Sequence, residues 1–403
     1  MTARRLGLGA QILLGMVAGA LLGAVLGEGV GWVEPVGTVF IRLLMMAAVP
    51  LVFCNLLAGV TALTDLRVLG RLAGKVAGWF AVTTGVALLL GMAAVSWVAP
   101  GRGMALTAAV DRDVAGVPGV ADLLVDLLPV NVFAAFAQGN VTQVVVVGVL
   151  LGVATVALPP GPRDRLRELY ADLALLFRKL VDLILVVAPW GIGALMAVAV
   201  GRYGALLFGP MARFVGAVWA AHLAMVMVYM AALHLARVTL GSPWGPLRFL
   251  RAGTSLWATT LATTSSLASL SVALDVADDM ELPRPVSSFA LPLGAQVNKD
   301  GTAIFLAGVV LFTAQAAGVA LAPGEGITIF LMGFLLSAGS GGIPGGGFVV
   351  ALIMVQAFQL PLEVAAIVGG IYRLVDMGNT TVNVMGDLVG TVLVAASEEG
   401  RHG

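Results

Sequence analysis

Five polar side chains near the C-terminal end, Arg373, Asp376, Thr380, Asn383 and Asp387, recur at i, i+3, i+7, i+10 and i+14. On a helix that spacing sets them on one face, with Asn379 beside the stripe. Carboxylate, amide and hydroxyl oxygens are hard ligands suited to alkali cations, and the carboxylates also suit a substrate ammonium group. The plainer reading is a polar seam that only holds two helices together. Five such residues on one stripe, beside a second polar break, favour a binding role.

That break is Asn298-Lys299-Asp300-Gly301-Thr302, preceded by Gln296. These residues cannot all face one side of a helix. Gly301 permits an unwound turn whose freed carbonyls coordinate a cation; the alternative is a kink in which Lys299 pairs with a carboxylate for stability alone. Two further runs are rich in small residues. One carries Thr264, Ser265 and Ser266, the other Ser337 to Gly347. As tips of re-entrant hairpins they present half-helix N-termini and bare amides, which suit a substrate carboxylate. As plain helices, the glycines serve close packing.

The elements that carry these groups follow from composition. Of 403 residues 60% are hydrophobic and only 11% charged, with a mean hydropathy of +1.02. A soluble domain carries about 25% charged residues, so a soluble enzyme and a disordered chain are both excluded. The 22 basic and 22 acidic side chains leave no net field to attract nucleic acid. One cysteine and three histidines argue against a soft-metal site. What remains is an all-α polytopic membrane protein in contact with the lipid bilayer. Apolar segments fall roughly at 6–26, 39–63, 76–99, 141–158, 180–200 and 212–236, with a last span at about 361–396. Basic residues concentrate in alternate loops, namely Arg4 and Arg5; Arg67, Arg71 and Lys75; the 162–179 run; and Arg237, Arg248 and Arg251. That bias puts both termini in the cytoplasm. The run 162–179 reads as a charged connector with a solvated face, and 100–140 as an external loop with a short amphipathic piece. His222 and His234 read as helix-packing residues, and Met45 and Met46 as packing. From residue 250 the texture changes into two units, 250–320 and 325–397, each a small-residue segment followed by a helix with a polar break. A charge at the bilayer centre costs about 2.5–3.5 kcal/mol, and paired broken segments point to a transporter's midplane site.

At these residues a family resemblance enters. Asn298-Lys299-Asp300-Gly301-Thr302 is similar to the Asn-Met-Asp-Gly-Thr motif of the dicarboxylate/amino acid:cation symporters, the glutamate transporter homologues. Asp376-Met377-Gly378-Asn379-Thr380-Thr381-Val382-Asn383, with Gly386-Asp387, resembles that family's last-helix motif. Gly342-Ile343-Pro344-Gly345 is similar to the tip of its second hairpin, and Thr264-Ser265-Ser266 to its serine-rich first tip.

The resemblance implies a homotrimer with eight transmembrane helices and two re-entrant hairpins, working as an elevator in a prokaryotic inner membrane. Residues 1–63 and 141–210 would form a trimerisation scaffold, 64–99, 211–249 and 250–397 a transport domain, and 398–403 a cytoplasmic tail. It implies a sodium site at Gly294, Asn298, Asn383 and Asp387, and a second cation site at Thr83, Thr84, Asn298 and Asp300. Substrate contacts would come from Ser265, Ser266, Thr302, Ile343, Gly347, Arg373, Asp376, Asn379, Thr380 and Asn383. The departures are informative. Lys299 replaces Met, Gln296 a usual Thr, and Phe80 a usual Tyr. Asn379 stands where carriers of acidic amino acids have Arg, and Arg373 where the C4-dicarboxylate branch also has Arg. Three carboxylates, Asp300, Asp376 and Asp387, therefore face two cations, Lys299 and Arg373, where the acidic-amino-acid members have one arginine.

The expected function is symport of a small carboxylate-bearing solute, an amino acid first because Asp376 is retained to pair its ammonium. The co-transported ion is H+ or Na+, with Lys299 and a nearby Asp as a candidate titrating pair and no other cofactor. The alternative within the class is a C4-dicarboxylate carrier clamped by Arg373 and Lys299. An anion channel and a membrane enzyme are the other classes weighed. The enzyme lacks a nucleophile–base pair.

Overall fold

The computed structural model describes residues 8–62, 71–104, 125, 128–138, 141–204, 208–341 and 345–399. Ile343, Arg4, Arg5, Arg67, most of the 100–140 stretch and residues 400–403 of the tail lie outside them. Among the described residues the regular structure is helical throughout. In chain order come α1 (Leu8–Leu26), a 3-10 helix (Gly27–Val33), α2 (Glu34–Ala62), α3 (Arg71–Val98), α4 (Val132–Ala137), α5 (Val141–Val156), α6 (Pro160–Leu185), α7 (Ala188–Tyr203) and α8 (Phe208–Leu240). Then follow α9 (Pro246–Ala252), α10 (Thr254–Thr263), α11 (Leu270–Asp279), α12 (Arg284–Val297), α13 (Asp300–Ala316), α14 (Pro323–Gly339), α15 (Gly346–Ala357) and α16 (Leu362–Glu399).

Five helical stretches among the described residues are long and apolar enough to cross a bilayer, or six if α6 and α7, bent by 56°, count as one. The others are shorter apolar pieces, including Val146–Val156, Gly324–Gly339 and Gly346–Ala357. A single span needs about 20 apolar residues, so these pieces are each too short to cross alone. Among the described residues the eight expected spans are therefore not all present as single long helices.

Alpha-13 holds the centre. Its 17 residues are apolar on almost every side and almost all are buried, as a helix without a polar face must be. It packs on α3, α8, α14, α15 and α16. A second packing group joins α1, α2, α5, α6 and α7. Within it α1 and α7 meet backbone to backbone. A Cβ added at Gly15, Gly19 or Gly23 would lie 2.0–2.2 Å from the carbonyl oxygens of Pro189, Gly193 and Ala197. Only small residues allow that approach, the usual device where lipid removes the hydrophobic drive between helices. The two groups meet where α1, α2, α5 and α7 touch α12, α14, α15 and α16.

One expectation needs correction. The run 162–179 is not a wholly solvated connector but part of the 26-residue α6. Asp164, Arg165, Glu168, Asp172 and Lys179 are exposed. Arg178 instead turns inward with Ala174, Val181 and Leu185. The helical period sets this, since these four positions share one face.

Candidate functional site

Alpha-12 ends at Val297, and Asn298 and Lys299 leave the helical conformation (φ −80°, ψ 111° and φ −134°, ψ 51°) before α13 resumes at Asp300. The break thus falls on Asn298–Lys299 and not at Gly301, which is already helical. Gly301 is needed for a different reason: a Cβ there would lie 2.4–2.8 Å from backbone atoms of Asn379 on α16. The break leaves the Ala295 carbonyl without a backbone amide, and the Lys299 ammonium donates to it at 2.5 Å. Lys299 is fully buried. Among the described residues it forms no ion pair, so the kink-stabilising pair considered from sequence is replaced by a helix-end carbonyl.

Around the break, α16 supplies the partners. Asn298 Nδ2 donates to Asp387 Oδ1 at 2.9 Å, and Gly294 has no Cβ because one would sit 2.3 Å from that same oxygen. Asn298 Oδ1 is buried with no hydrogen-bond partner. Gly294, Asn298 and Asp387 are therefore brought together. Asn383, one turn earlier, serves the other side. Its Oδ1 accepts from the Gly301 and Thr302 amides at 2.8 and 3.4 Å, and its Nδ2 donates to Thr302 Oγ1 at 3.3 Å. Asp300 points to α3 and α8, accepting from Thr84 Oγ1 at 2.9 Å and the Tyr229 hydroxyl at 2.6 Å. Thr83 is buried beside it and donates to the Phe80 carbonyl at 3.3 Å.

Asp376 faces the second small-residue tip. It accepts from the Tyr372 hydroxyl at 2.7 Å and from the Gly345 amide at 3.3 Å. Gly347 leaves room for Tyr372 and Thr302, since a Cβ would lie 2.5 Å from the tyrosine oxygen and 3.1 Å from Thr302 Cγ2. Arg373 goes elsewhere. It donates to the Ala262 carbonyl at 3.0 Å and to Thr264 Oγ1, so it grips the first tip. Thr264 is left-handed there (φ 51°, ψ 35°), a conformation that costs a non-glycine residue about 1–2 kcal/mol and is held by that grip. Ser265 and Ser266 follow it and are buried; Ser265 Oγ accepts from the Ala268 amide at 3.2 Å. Thr380 is buried on the α16 stripe. Asn379 is fully enclosed, with Oδ1 3.0 Å from His222 Nε2. Ile343 lies outside the described residues.

Three participants were not singled out from sequence. Tyr372 sits one turn before Asp376, and Tyr229 lies seven residues after His222 on one face of α8; both spacings were visible. The third is Arg178. Its Nε–H and Nη2–H reach Asn55 Oδ1 at 3.2 and 2.9 Å, and Nη2–H also reaches Gln296 Oε1 at 2.7 Å. Asn55 in turn donates to the Gly339 carbonyl at 3.0 Å.

A sequence profile of the sodium:dicarboxylate symporter family matches residues 8–397. The chain belongs to that family. Its members are transporters, so this symporter-family chain is a multi-pass membrane carrier and not an enzyme. It is 29% identical over 396 residues to the proton/glutamate-aspartate symporter of Bacillus subtilis, covering 96% of this chain and 94% of that one. It is 31% identical to the C4-dicarboxylate transport protein of Rhizobium etli, covering 96% and 88%. With the proton/sodium-glutamate symport protein of Bacillus caldotenax it shares 26%, covering 98% and 95%. The resemblance read from the motifs at 298–302 and 376–387 thus extends over the chain.

Proposed function

We propose that the chain is a cation-coupled carrier of small carboxylate-bearing solutes, with amino acids the favoured class. The observation that carries this reading is the enclosed constellation of Asn298, Asp387, Asn383, Thr302 and Asp376 where a broken helix crosses α16. A bare acceptor, Asn298 Oδ1, beside a buried carboxylate asks for a positive partner. Gly294, Asn298, Asn383 and Asp387 would hold one cation, and Thr83, Thr84, Asn298 and Asp300 a second. Asp376 would take the substrate ammonium, exchanging its bonds from Tyr372 and Gly345 for it. The substrate carboxylate would lie against Thr302, Asn383, Thr380 and the amides of the two tips near Ser265, Ser266, Ile343 and Gly347, with Asn379 behind.

The amino-acid reading is favoured over the C4-dicarboxylate one because both supposed clamps are engaged within the protein. Arg373 holds the first tip, and Lys299 caps a helix-end carbonyl. The dicarboxylate reading keeps support from the relatives that bear that name. We further propose that the segments around the two tips are re-entrant hairpins. On this reading α3 and α8–α16 move as a transport unit against α1, α2, α5, α6 and α7. The working form is a homotrimer in a prokaryotic inner membrane with both termini cytoplasmic. Native mass measurement in detergent is expected to give a trimer; monomers or dimers alone would exclude it.

The deciding experiment is uptake by proteoliposomes under imposed sodium or proton gradients. The panel is L-aspartate, L-glutamate, neutral amino acids and succinate. Saturable, gradient-driven uptake of an unmodified amino acid is expected. Preference for succinate would shift the reading to the dicarboxylate class, and non-saturating flux would mark a channel.

A further inference from the structure

Among the described residues three buried side-chain atoms lack a hydrogen-bond partner, and two of them, His222 Nδ1 and Asn379 Nδ2, belong to one pair. The other ends of the two groups are joined, Nε2 to Oδ1 at 3.0 Å. Roughly 90% of buried polar groups find a partner, so two orphans on one pair ask for a reason. The ring is held firmly. His222 on α8 is buried, and Trp219 meets it edge-on at 5.8 Å. Trp219 is itself tied to the Leu374 carbonyl at 3.1 Å. Gly378 clears the other side, because a Cβ there would lie 2.5 Å from His222 Nδ1. Packing thus fixes the ring, and the ring fixes the amide.

The orientation of that amide follows. An amide oxygen only accepts, so His222 Nε2 carries the proton and donates, and Nδ1 is the unprotonated nitrogen of a neutral ring. The Asn379 NH2 group then faces away from the ring, toward Asp376 and the Tyr372 hydroxyl. These stand one and two turns earlier on the same face of α16. Asn379 Nδ2 is near enough to act on both, yet it meets no acceptor at bonding geometry. The reversed amide would set Oδ1 toward the Asp376 carboxylate, acceptor to acceptor. His222 therefore decides that a donor, and not an oxygen, is what Asn379 offers beside the residue proposed to take the substrate ammonium.

We propose that His222 is a positioning residue for substrate selection. By holding Asn379 with its NH2 group toward the solute, it suits the site to an amino acid whose side chain ends in a neutral oxygen acceptor, a hydroxyl or a carboxamide. The inference rests on the amino-acid reading above and narrows it. With the ammonium on Asp376, Asn379 lies about 4.5 Å further along the helix axis, within reach of a short side chain. An alkyl side chain would leave the buried donor unpaired. A side-chain carboxylate would meet a neutral donor with no cation behind it, since Arg373 is committed to the first tip.

The test is uptake of L-serine, L-asparagine and L-alanine by full-length protein in proteoliposomes, read as KM and maximal rate. Wild type is expected to show a lower KM for serine or asparagine than for alanine. His222→Leu removes the donor that orients Asn379 and is expected to raise the KM of these two relative to that of alanine about fivefold to tenfold, the worth of one hydrogen bond. His222→Phe, which keeps a ring between Trp219 and Gly378 but has no N–H, carries the test if His222→Leu does not fold. His222→Gln supplies an amide N–H in place of the ring N–H and is expected to restore most of the preference. In an Asn379→Leu background His222→Leu should change the ratio no further, because the histidine acts only through the amide. The proposal is overturned if the variants weaken serine, asparagine and alanine alike, the mark of a structural role, or if His222→Gln restores nothing. Failure of wild type to carry any of the three would instead remove the amino-acid reading, and this inference with it.

Discussion

Gly301→Ala is expected to lower the melting temperature and the yield of folded protein markedly. The new methyl group would lie 2.4 Å from the Asn379 carbonyl oxygen and 2.5 Å from its Cα. These are backbone atoms of α16, which cannot rotate aside as a side chain would. To relieve the contact α13 and α16 must separate. That would stretch the Gly301 amide bond to Asn383 Oδ1, now 2.8 Å, and disturb Asn379, which His222 holds. Overpacking that forces side-chain and backbone shifts costs about 1–3 kcal/mol, occasionally more. A whole folded domain is stable by only about 5–15 kcal/mol. Yield of monodisperse protein and its melting temperature check this. Gly59→Ala is the matched control, because its methyl group would meet only Val297 Cγ2 at an ordinary 3.5 Å. A Gly301→Ala protein that melts with wild type would mean that the crossing of α13 and α16 is looser than described.

Lys299→Met is expected to make the protein dependent on cations. The substitution removes the donor to the Ala295 carbonyl and takes one positive charge from a core that holds Asp300 and Asp387. Removing one member of a buried charge set costs about 3–5 kcal/mol when nothing takes its place. A monovalent cation at the freed carbonyl can take its place. Lys299→Met should therefore melt well below wild type in choline chloride, recover in sodium chloride, and show uptake that rises more steeply with sodium. If wild-type uptake is driven by protons, the variant should lose that drive or change its pH dependence. Equal sodium curves for variant and wild type would show that Lys299 carries no charge-balancing role.

The residues that define the site were legible because polar groups are expensive in an apolar span and so mark their own positions. The α16 stripe and the 298–302 break both announce themselves this way. What sequence could not supply was direction. Gly301 reads as the place where a helix may unwind, but the dihedral break falls at Asn298–Lys299 because the glycine is required one turn further on for contact with Asn379. Arg373 and Asp376 share a face of α16, yet one reaches the first tip and the other the second. Spacing alone cannot separate them, since both tips approach the same stripe. Arg178 was hidden by company. It lies in a run whose other charges are mostly exposed, and only the periodicity with Ala174, Val181 and Leu185 marks it as inward-facing. The two tyrosines were hidden for the opposite reason, because an aromatic residue in an apolar helix usually signifies packing.

The seam between α1 and α7 bears on how the protein is made. Alpha-1 is the first of these helices to leave the ribosome, and its partner strip, Pro189 to Ala197, is synthesised only after α2, α3, α5 and α6. Until then the groove at Gly15, Gly19 and Gly23 can be filled only by lipid or by the insertion machinery, because no side chain of α1 itself covers it. A nascent chain halted before Pro189 would therefore carry a first helix with its docking strip missing. Such truncated chains should be extracted from membranes or degraded more readily than those that end just beyond α7.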